Sequence, residues 1–443
     1  MALHIVDRKA KFSVKRTQKF LRVLFALILV GITIQARAES EPAAGNQTGM
    51  TLAEMIEELR MHNPQLEQAR ANFRASKAAV PQQRAPNNPQ LGLINNPIPK
   101  NPLNLGQSEG FSYSVTQSFP FPGKKRLAAA VAEDQAEFAN SQVDALYLQL
   151  VAQLKNNFYQ ASLLQHQIEI NREGIQRLEQ IKQLTKVRYE NNAAAFVDFL
   201  NAQVAQSSAE NEQFSLQRQF DTARQTLNTL MGRDPQTPLS VATELPSQAL
   251  PQKQLAELEA MAVENNPNIK GAALQISASQ KGVDLADLAY FPDFQVILTG
   301  NSTRPPLGIG SVNSWGMEVD LVVPLWFFTK ERYGVQQARA TLEASRAGQI
   351  ALIQQTRLSV DAAYNNLAQA VNQSQFIRSR QLPEAQTAFR LALTNYANGG
   401  LAFLDLLTAQ ANLRNIQLGL AQSDANAVQA YANLISVIGR EVE

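Results

Sequence analysis

Apolar residues recur along this chain with two different periods, and the change between them falls at prolines, glycines and asparagines. From Lys124 to Asp234 there is no proline, and Gln, Ala, Leu, Asn and Glu dominate, a composition compatible with helix throughout. Val151, Leu154, Phe158, Ala161, Ile168, Ile175 and Leu178 follow spacings of three, four and seven, as one packed coiled-coil face does. A second stripe carries Leu150, Leu164, Ile181 and Leu184. A helix that buries two faces suits a closed ring of neighbours better than an isolated pair. The marked break lies around Glu190 to Ala195, and the helix before it spans about 65 residues, or about 100 Å. The corresponding later helix holds Pro383, which predicts a kink or a local bulge.

Period two appears in short segments. Phe111, Tyr113, Val115 and Phe119 alternate with Ser112, Ser114, Thr116 and Ser118, while Trp315, Met317, Val319, Leu321 and Val323 alternate with Gly316, Glu318, Asp320 and Val322. Each pattern fits a strand with one wet and one greasy side. The partners are Gln90 to Asn95 and Phe294 to Gly300, across loops Asn96 to Glu109 and Asn301 to Asn313. Ahead of the first pair, Asn63 and Pro64 predict a capped helix start, with the helix running to the Pro/Asn-rich stretch from Pro81.

The chain repeats itself. Tyr189 to Gln203 matches Tyr396 to Gln410, 207 residues on, with eight of fifteen positions identical. Met231-Gly232-Arg233 pairs with Ile438-Gly439-Arg440 at the same offset, Asn63-Pro64 with Asn266-Pro267 at 203, and Phe119-Pro120 with Val323-Pro324 at 204. Landmarks in one order with nearly constant offset mark an internal duplication. The expected organisation is a leader over 1–38, a first repeat over 39–240 and a second over 241–443, each with a helix, two strands and a long helical hairpin. Four strands cannot close a membrane barrel, since the smallest use about eight, so the chain must oligomerise.

Charge changes the picture at the start of the chain. The first 38 residues hold eight Lys or Arg against Asp7, so the formal +2 of the whole leaves about −5 for the remainder. This basic stretch precedes the apolar run Val23 to Ile34 and Ala36-Arg37-Ala38, the pattern of a cleaved secretory signal. Twelve apolar residues span about 18 Å, short of a bilayer core of about 30 Å. The mature chain is then exported, mildly acidic and no partner for nucleic acid. No later stretch reaches 18 apolar residues, which excludes a helical membrane protein but not a β-barrel. The paired strands fit either a small soluble hairpin in each half or a lipid-facing barrel. Aromatic residues near the strand ends, together with the leader, favour the barrel.

Candidate chemistry is sparse. There is no cysteine, which removes disulfides, thiolate metal sites and thiol nucleophiles. His62 and His166 have no companions at ligand spacing, and Gly308-Ile309-Gly310 is a lone turn signal in a proline-rich loop. No catalytic, cofactor or metal constellation is present, so the chain is read as no enzyme. Lys124-Lys125-Arg126 and Lys330-Glu331-Arg332 stand where strand hands over to helix. They fit a solvated first turn or anchoring at lipid headgroups, and opposition to the helix dipole favours anchoring. At the hairpin tips, Tyr189 and Tyr396 precede sharp turns built from Asn191-Asn192 and Asn398-Gly399-Gly400, with Asp198 and Asp405 just after. Asparagine and glycine tolerate positive φ, and an acid in the first helical turn is favourable.

These residues resemble the outer-membrane factors of Gram-negative export systems, the TolC type, over essentially the whole mature chain. The duplication, the run Ser118 to Arg126 (similar to the strand-to-helix signature of the heavy-metal and cation efflux branch) and the Tyr-x-x-Gly tips ending in Leu-x-Ala-Gln carry the likeness. The resemblance implies a mainly α fold with a small β part. Three chains would form an α-barrel continuous with a 12-stranded transmembrane β-barrel, four strands from each chain. It implies residence in the bacterial outer membrane with a helical tube in the periplasm. It also implies a periplasmic adaptor docking at the tips and an inner-membrane pump behind it. In such proteins a tyrosine before the second tip and an aspartate after the first hold the entrance shut, and aspartates of the second hairpin ring the opening. The matching positions are Tyr396, Asp198 and Asp405. Asn192 replaces the glycine that Gly399 keeps, and Thr408 stands where some members carry a second aperture aspartate. Glu318 and Asp320 are the acids expected on the lumen side of a strand. The implied role is passive conduction of metal cations. Type I protein secretion and drug efflux are alternative cargoes, and a secreted coiled-coil scaffold or pore-forming toxin is an alternative class.

Overall fold

The structure is a computed structural model that describes residues 50–96, 110–241, 245–303, 310 and 312–440. The expected leader 1–38, most of both inter-strand loops and Gly308-Ile309 lie outside the described residues.

Helix α1 (Leu52–His62) opens on a complete capping box. The Thr51 hydroxyl accepts from the Glu54 amide, and the Glu54 carboxylate accepts from the Thr51 amide at 2.8 Å. The bond from that amide, then the one from the hydroxyl, holds the Glu54 carboxyl below the ordinary carboxylate range. Asn63 ends α1 and starts α2 (Pro64–Arg84), accepting from the amides of Gln65 and Leu66 at 2.9 and 3.1 Å with Pro64 in the first turn. Contrary to the sequence expectation, α2 continues through Pro81. The carbonyl that Pro81 cannot serve belongs to exposed Lys77, where water can satisfy it.

Strands β1 (Gln90–Asn96) and β2 (Gly110–Phe119) follow, then α3 (Lys124–Glu190) and α4 (Phe196–Leu230). The same order returns as α5 (Leu255–Asn265), α6 (Pro267–Asp287), a 3₁₀ turn (Leu288–Tyr290), β3 (Asp293–Thr303), β4 (Val312–Val322), α7 (Glu331–Phe376), α8 (Leu382–Ala397) and α9 (Phe403–Ile438). Between α7 and α8 lies one π turn, Ile377–Gln381, immediately before Leu382-Pro383. It is the local bulge that a proline with no amide to donate makes favourable.

Helix α3 has 67 residues, about 100 Å of rise, and is covered on two sides. Near its start it meets α6, where Lys281 pairs with Asp134 at 2.7 Å and Gly271 lies against Phe138 and Ser141. Farther along it meets α9, through Asn156–Asn433 at 2.8 Å, Leu163 against Ala421, and Arg177–Gln417 at 2.9 Å. Both sequence stripes are used: Leu154, Phe158, Ile168 and Leu178 are buried, and so are Leu150, Leu164 and Ile181.

The short helices plug matching cores. Met55 and Leu59 of α1 join Leu150, Leu154, Phe158, Leu227 and Met231. Leu258 and Ala262 of α5 join Val360, Leu367, Leu434 and Ile438. In each, the capping asparagine also ties down the end of the last long helix: Asn63 donates to the Leu230 carbonyl at 2.8 Å and Asn266 to that of Val437 at 3.3 Å. The glycine that follows has positive φ, +75° at Gly232 and +83° at Gly439. Its absent side chain leaves room for the facing backbone. A Cβ would stand 2.3 Å from the His62 carbonyl oxygen at Gly232 and 3.2 Å from that of Asn265 at Gly439.

That difference sets an order. Both alanine substitutions strain the backbone by about 1–2 kcal/mol, and Gly232→Ala must also displace a carbonyl, raising its cost to roughly 3 kcal/mol. Chemical denaturation followed by helical circular dichroism should show Gly232→Ala as clearly the weaker variant. Equal midpoints for the two would mean that the close approach at His62 has no energetic weight.

Candidate functional site

The four strands form one antiparallel sheet in the order β1-β2-β3-β4. Its register sorts side chains by face. Leu93 lies opposite Tyr113, Tyr113 opposite Gly300 and Gly300 opposite Trp315; Leu91, Val115, Leu298 and Met317 form the next row, and Phe119, Phe294 and Leu321 another. The other face carries Gln90, Thr116, Ile297 and Glu318 in one row, Ser118, Gln295 and Asp320 in a second, and Gly92, Ser114, Thr299 and Gly316 in a third. One face is therefore mainly apolar, interrupted by Gln117 and, towards one end, by Ser302 and Asn313, and the other is mostly polar. Trp315 stands edge-on to Tyr113 at 5.2 Å. Gly300 between them is required, because a Cβ there would come within 2.3 Å of the Tyr113 ring.

The apolar face is uncovered. Leu91, Leu93, Trp315 and Met317 are each more than 70% exposed, a continuous patch that water does not favour. β1 and β4 are the sheet's outer members, and neither pairs along its outer edge among the described residues. Exposed Val323, Leu325, Trp326, Phe327 and Phe328 continue from β4, ahead of Lys330, whose largely exposed ammonium lies 3.9 Å from the Glu331 carboxylate. The first strand-to-helix junction differs. Lys124 does not project its ammonium outward as headgroup anchoring requires. It binds Asp293 at 2.7 Å and the Phe291 carbonyl at 3.1 Å. Asp293 also accepts from the Phe121 amide at 2.7 Å, and Phe121 stacks on Phe291. Lys124 is thus a fastener between the two halves. No helix among the described residues is long and apolar enough to cross a membrane.

At the opposite ends of the long helices the two tips fold alike. Asn192 donates to the Tyr189 carbonyl and Ala193 to that of Arg188, at 2.9 and 2.7 Å; Gly399 donates to Tyr396 and Gly400 to Asn395, at 3.0 and 2.9 Å. Asn192 and Gly399 hold φ of +56° and +81°, so asparagine does serve where the second tip has glycine. An aromatic pair closes each turn, Tyr189 with Phe196 and Tyr396 with Phe403.

Their surroundings differ. Tyr189 and Phe196 are exposed, whereas Tyr396 and Phe403 are buried with Ile181, Ala202, Ala392 and Leu406. The Tyr396 hydroxyl donates to Thr185 of α3 at 3.4 Å. Arg188 donates to the carbonyls of Tyr396, Ala397 and Ala193, and its guanidinium lies 4.7 Å from the Tyr396 ring centre. Arg188 and Thr185 were not legible as site residues. A basic residue in a last helical turn is ordinary, and nothing in its spacing points to a tip more than 200 residues away.

Asp198 is half-buried in the first turn of α4, and its carboxylate makes no bond to Tyr396 or to any other described group. Asp405 is exposed on a groove between α8 and α9 of about 600 Å³, shared with Glu384, Thr408 and Asn412. Asn191, Asn398, Gly399 and Gly400 are exposed at the tips, as is Asn192. Higher on α3, bonds from Gln183 and then Lys182 hold the Glu179 carboxyl below its ordinary range. Among the described residues no group of His, Asp and Glu could hold a metal ion.

The sequence profile of the outer membrane efflux protein family matches residues 55–233 and 258–440. Nodulation protein T from Rhizobium leguminosarum bv. trifolii is 24% identical over 318 residues, covering 69% of this chain and 66% of the relative's length. The cobalt-zinc-cadmium resistance protein CzcC from Cupriavidus metallidurans is 22% identical over 322 residues, covering 72% of this chain and 74% of its own. Among solved structures, the outer-membrane channel OprN superposes with a TM-score of 0.75 at 19% identity, covering 88% of this chain and 90% of that one. The two matched spans each contain one strand pair and one long helical hairpin, and together they take in most of the sequence; the chain belongs to the outer membrane efflux protein family.

Proposed function

We propose that this protein is the exit duct of a tripartite export system and performs no catalysis. Three copies would place their sheets edge to edge as a 12-stranded barrel in the outer membrane, with the long helices of all three forming a helical barrel on the periplasmic side. The observation that carries the reading is the sheet itself, with one exposed, mainly apolar face, one mostly polar face and two edges unpaired among the described residues. In lipid every backbone polar group must find a partner, and strands achieve this only in closed barrels. The leader 1–38 would be removed on export, leaving the repeats 39–240 and 241–443.

A periplasmic adaptor would meet the tips at Tyr189, Asn191, Asn192, Asn398, Gly399 and Gly400, where exposed Val187, Tyr189, Phe196 and Val197 offer apolar area. An inner-membrane pump supplies the energy, and adaptor docking shifts a closed entrance towards an open one. Asp198, Tyr396 and Asp405 form the gate. Three Asp405 carboxylates at the mouth, with Glu318 and Asp320 facing the lumen from the polar side of the sheet, concentrate cations. The cobalt-zinc-cadmium resistance relative supports metal cations as cargo.

Replacing Asp198 and Tyr396 together, as Asp198→Ala with Tyr396→Phe, should raise single-trimer conductance in planar bilayers several-fold. Conductance equal to that of the unmodified protein would remove the gate assignment. The sheet offers a separate check, because the chain has two tryptophans. In a Trp326→Phe variant the remaining Trp315 should be strongly quenched by lipids brominated on their acyl chains. Emission indifferent to those lipids would place the apolar face against something other than a bilayer.

A further inference from the structure

We propose that Arg188 is the latch that holds the second hairpin tip to the first within each chain, which makes it a positioning residue for the gate. This rests on the duct reading above. Arg188 lies in the last turn of α3, yet two of its bonds go to the end of α8, to the carbonyls of Tyr396 and Ala397, the latter at 3.1 Å. Those carbonyls lie at the helix end, where they carry the negative end of the helix dipole, and the Tyr396 carbonyl otherwise takes the turn amide of Gly399. A guanidinium placed there from another helix acts as a cap supplied across the tip. A third bond, to the Ala193 carbonyl at 2.9 Å, fixes the same side chain to its own turn. The buried Tyr396 ring lies 4.7 Å from the part-buried guanidinium, adding cation–π attraction.

The fork thus bridges both tips, and α8 cannot swing away from α3 without breaking the bonds and uncovering Tyr396. The latch runs one way. The duplicate of Arg188 at the 207-residue offset is Asn395, too short to return the contact. The gate carboxylate Asp198 forms no bond that would substitute for it.

The sequence has no cysteine, so a single Thr185→Cys reports on the latch directly. Thr185 is fully buried beneath the Tyr396 hydroxyl, and a thiol there meets maleimide only when the second tip moves off. Full-length protein in detergent, checked for intact oligomer on unheated gels, should label roughly tenfold or more faster with Arg188→Ala, the population change expected from losing a charge-assisted hydrogen bond. Arg188→Lys keeps the charge and loses the fork, so its rate should fall between the two. Arg188→Ala should also raise conductance. Equal labelling rates in all three proteins overturn the latch. If none of the proteins conducts, including the variant altered at both Asp198 and Tyr396, the duct reading fails instead, and the labelling rates still decide the latch. Should Arg188→Ala yield no intact oligomer, the comparison with Arg188→Lys decides it alone.

Discussion

A strand buried in hydrocarbon must have every amide and carbonyl paired, and this chain has two strands whose outer edges no described residue pairs. Among the described residues β1 and β4 each present one free edge, and the face between them is mainly apolar and exposed. The cost of leaving such groups unpaired in lipid is several kcal/mol each, which no local adjustment recovers. In the duct proposed above, sister strands would supply these partners, and the helices of three copies would close in the same three-fold arrangement. Rows such as Leu91, Val115, Leu298 and Met317 run across all four strands, and on that proposal they are one band of a wall that other copies continue.

The helices answer the same demand by different means. A helix satisfies its own backbone, so α3 is free to use two faces for packing, against α2 and α4 on one side and α6 and α9 on the other. Its buried positions mix leucine, alanine and glycine with amides. Asn171 is fully buried and donates to the Ala209 carbonyl at 2.9 Å and to Gln213 at 2.8 Å. Such buried amides oppose sliding of one helix along the other, because a shifted register would leave them unpaired. The single π turn before Pro383 lies where the second repeat departs from the unbroken α3 of the first. Beside it, Arg378 and Ser374 both hold Asp424 of α9, so the irregular turn is pinned to its neighbour.

Two copies of one motif have diverged through their surroundings more than through their own conformation. The tips have the same turn, a left-handed residue at the same place (Asn192 in one, Gly399 in the other) and the same aromatic pair. One aromatic pair faces solvent and the other is enclosed. Likewise, Arg233 pairs with Glu58 in the first half, whereas exposed Arg440 pairs with no acid among the described residues, and Met261 occupies the position 203 residues after Glu58. Duplication supplied the frame, and the surroundings enclose the aromatic pair of the second tip while that of the first stays exposed.

The amino-acid sequence by itself determined what depends on near neighbours. Helical and alternating periods, the Asn63 and Asn266 caps, the break at Glu190 to Ala195, the bulge before Pro383 and the two faces of each strand follow from residues within a few positions of one another. Boundaries moved where tertiary surroundings tolerated it, as at Pro81, and where pairing lengthened β3 and β4 beyond their alternating runs. The tertiary structure alone decided which distant groups meet. Lys124 looked like a surface anchor until Asp293 was brought beside it. Tyr189 and Tyr396 occupy identical turns, yet only the second is buried, and Arg188 gains its partners from a helix end some 208 residues away. Burial and pairing across such separations are properties of the folded surface, set by how whole helices pack, and no local pattern of residues encodes them.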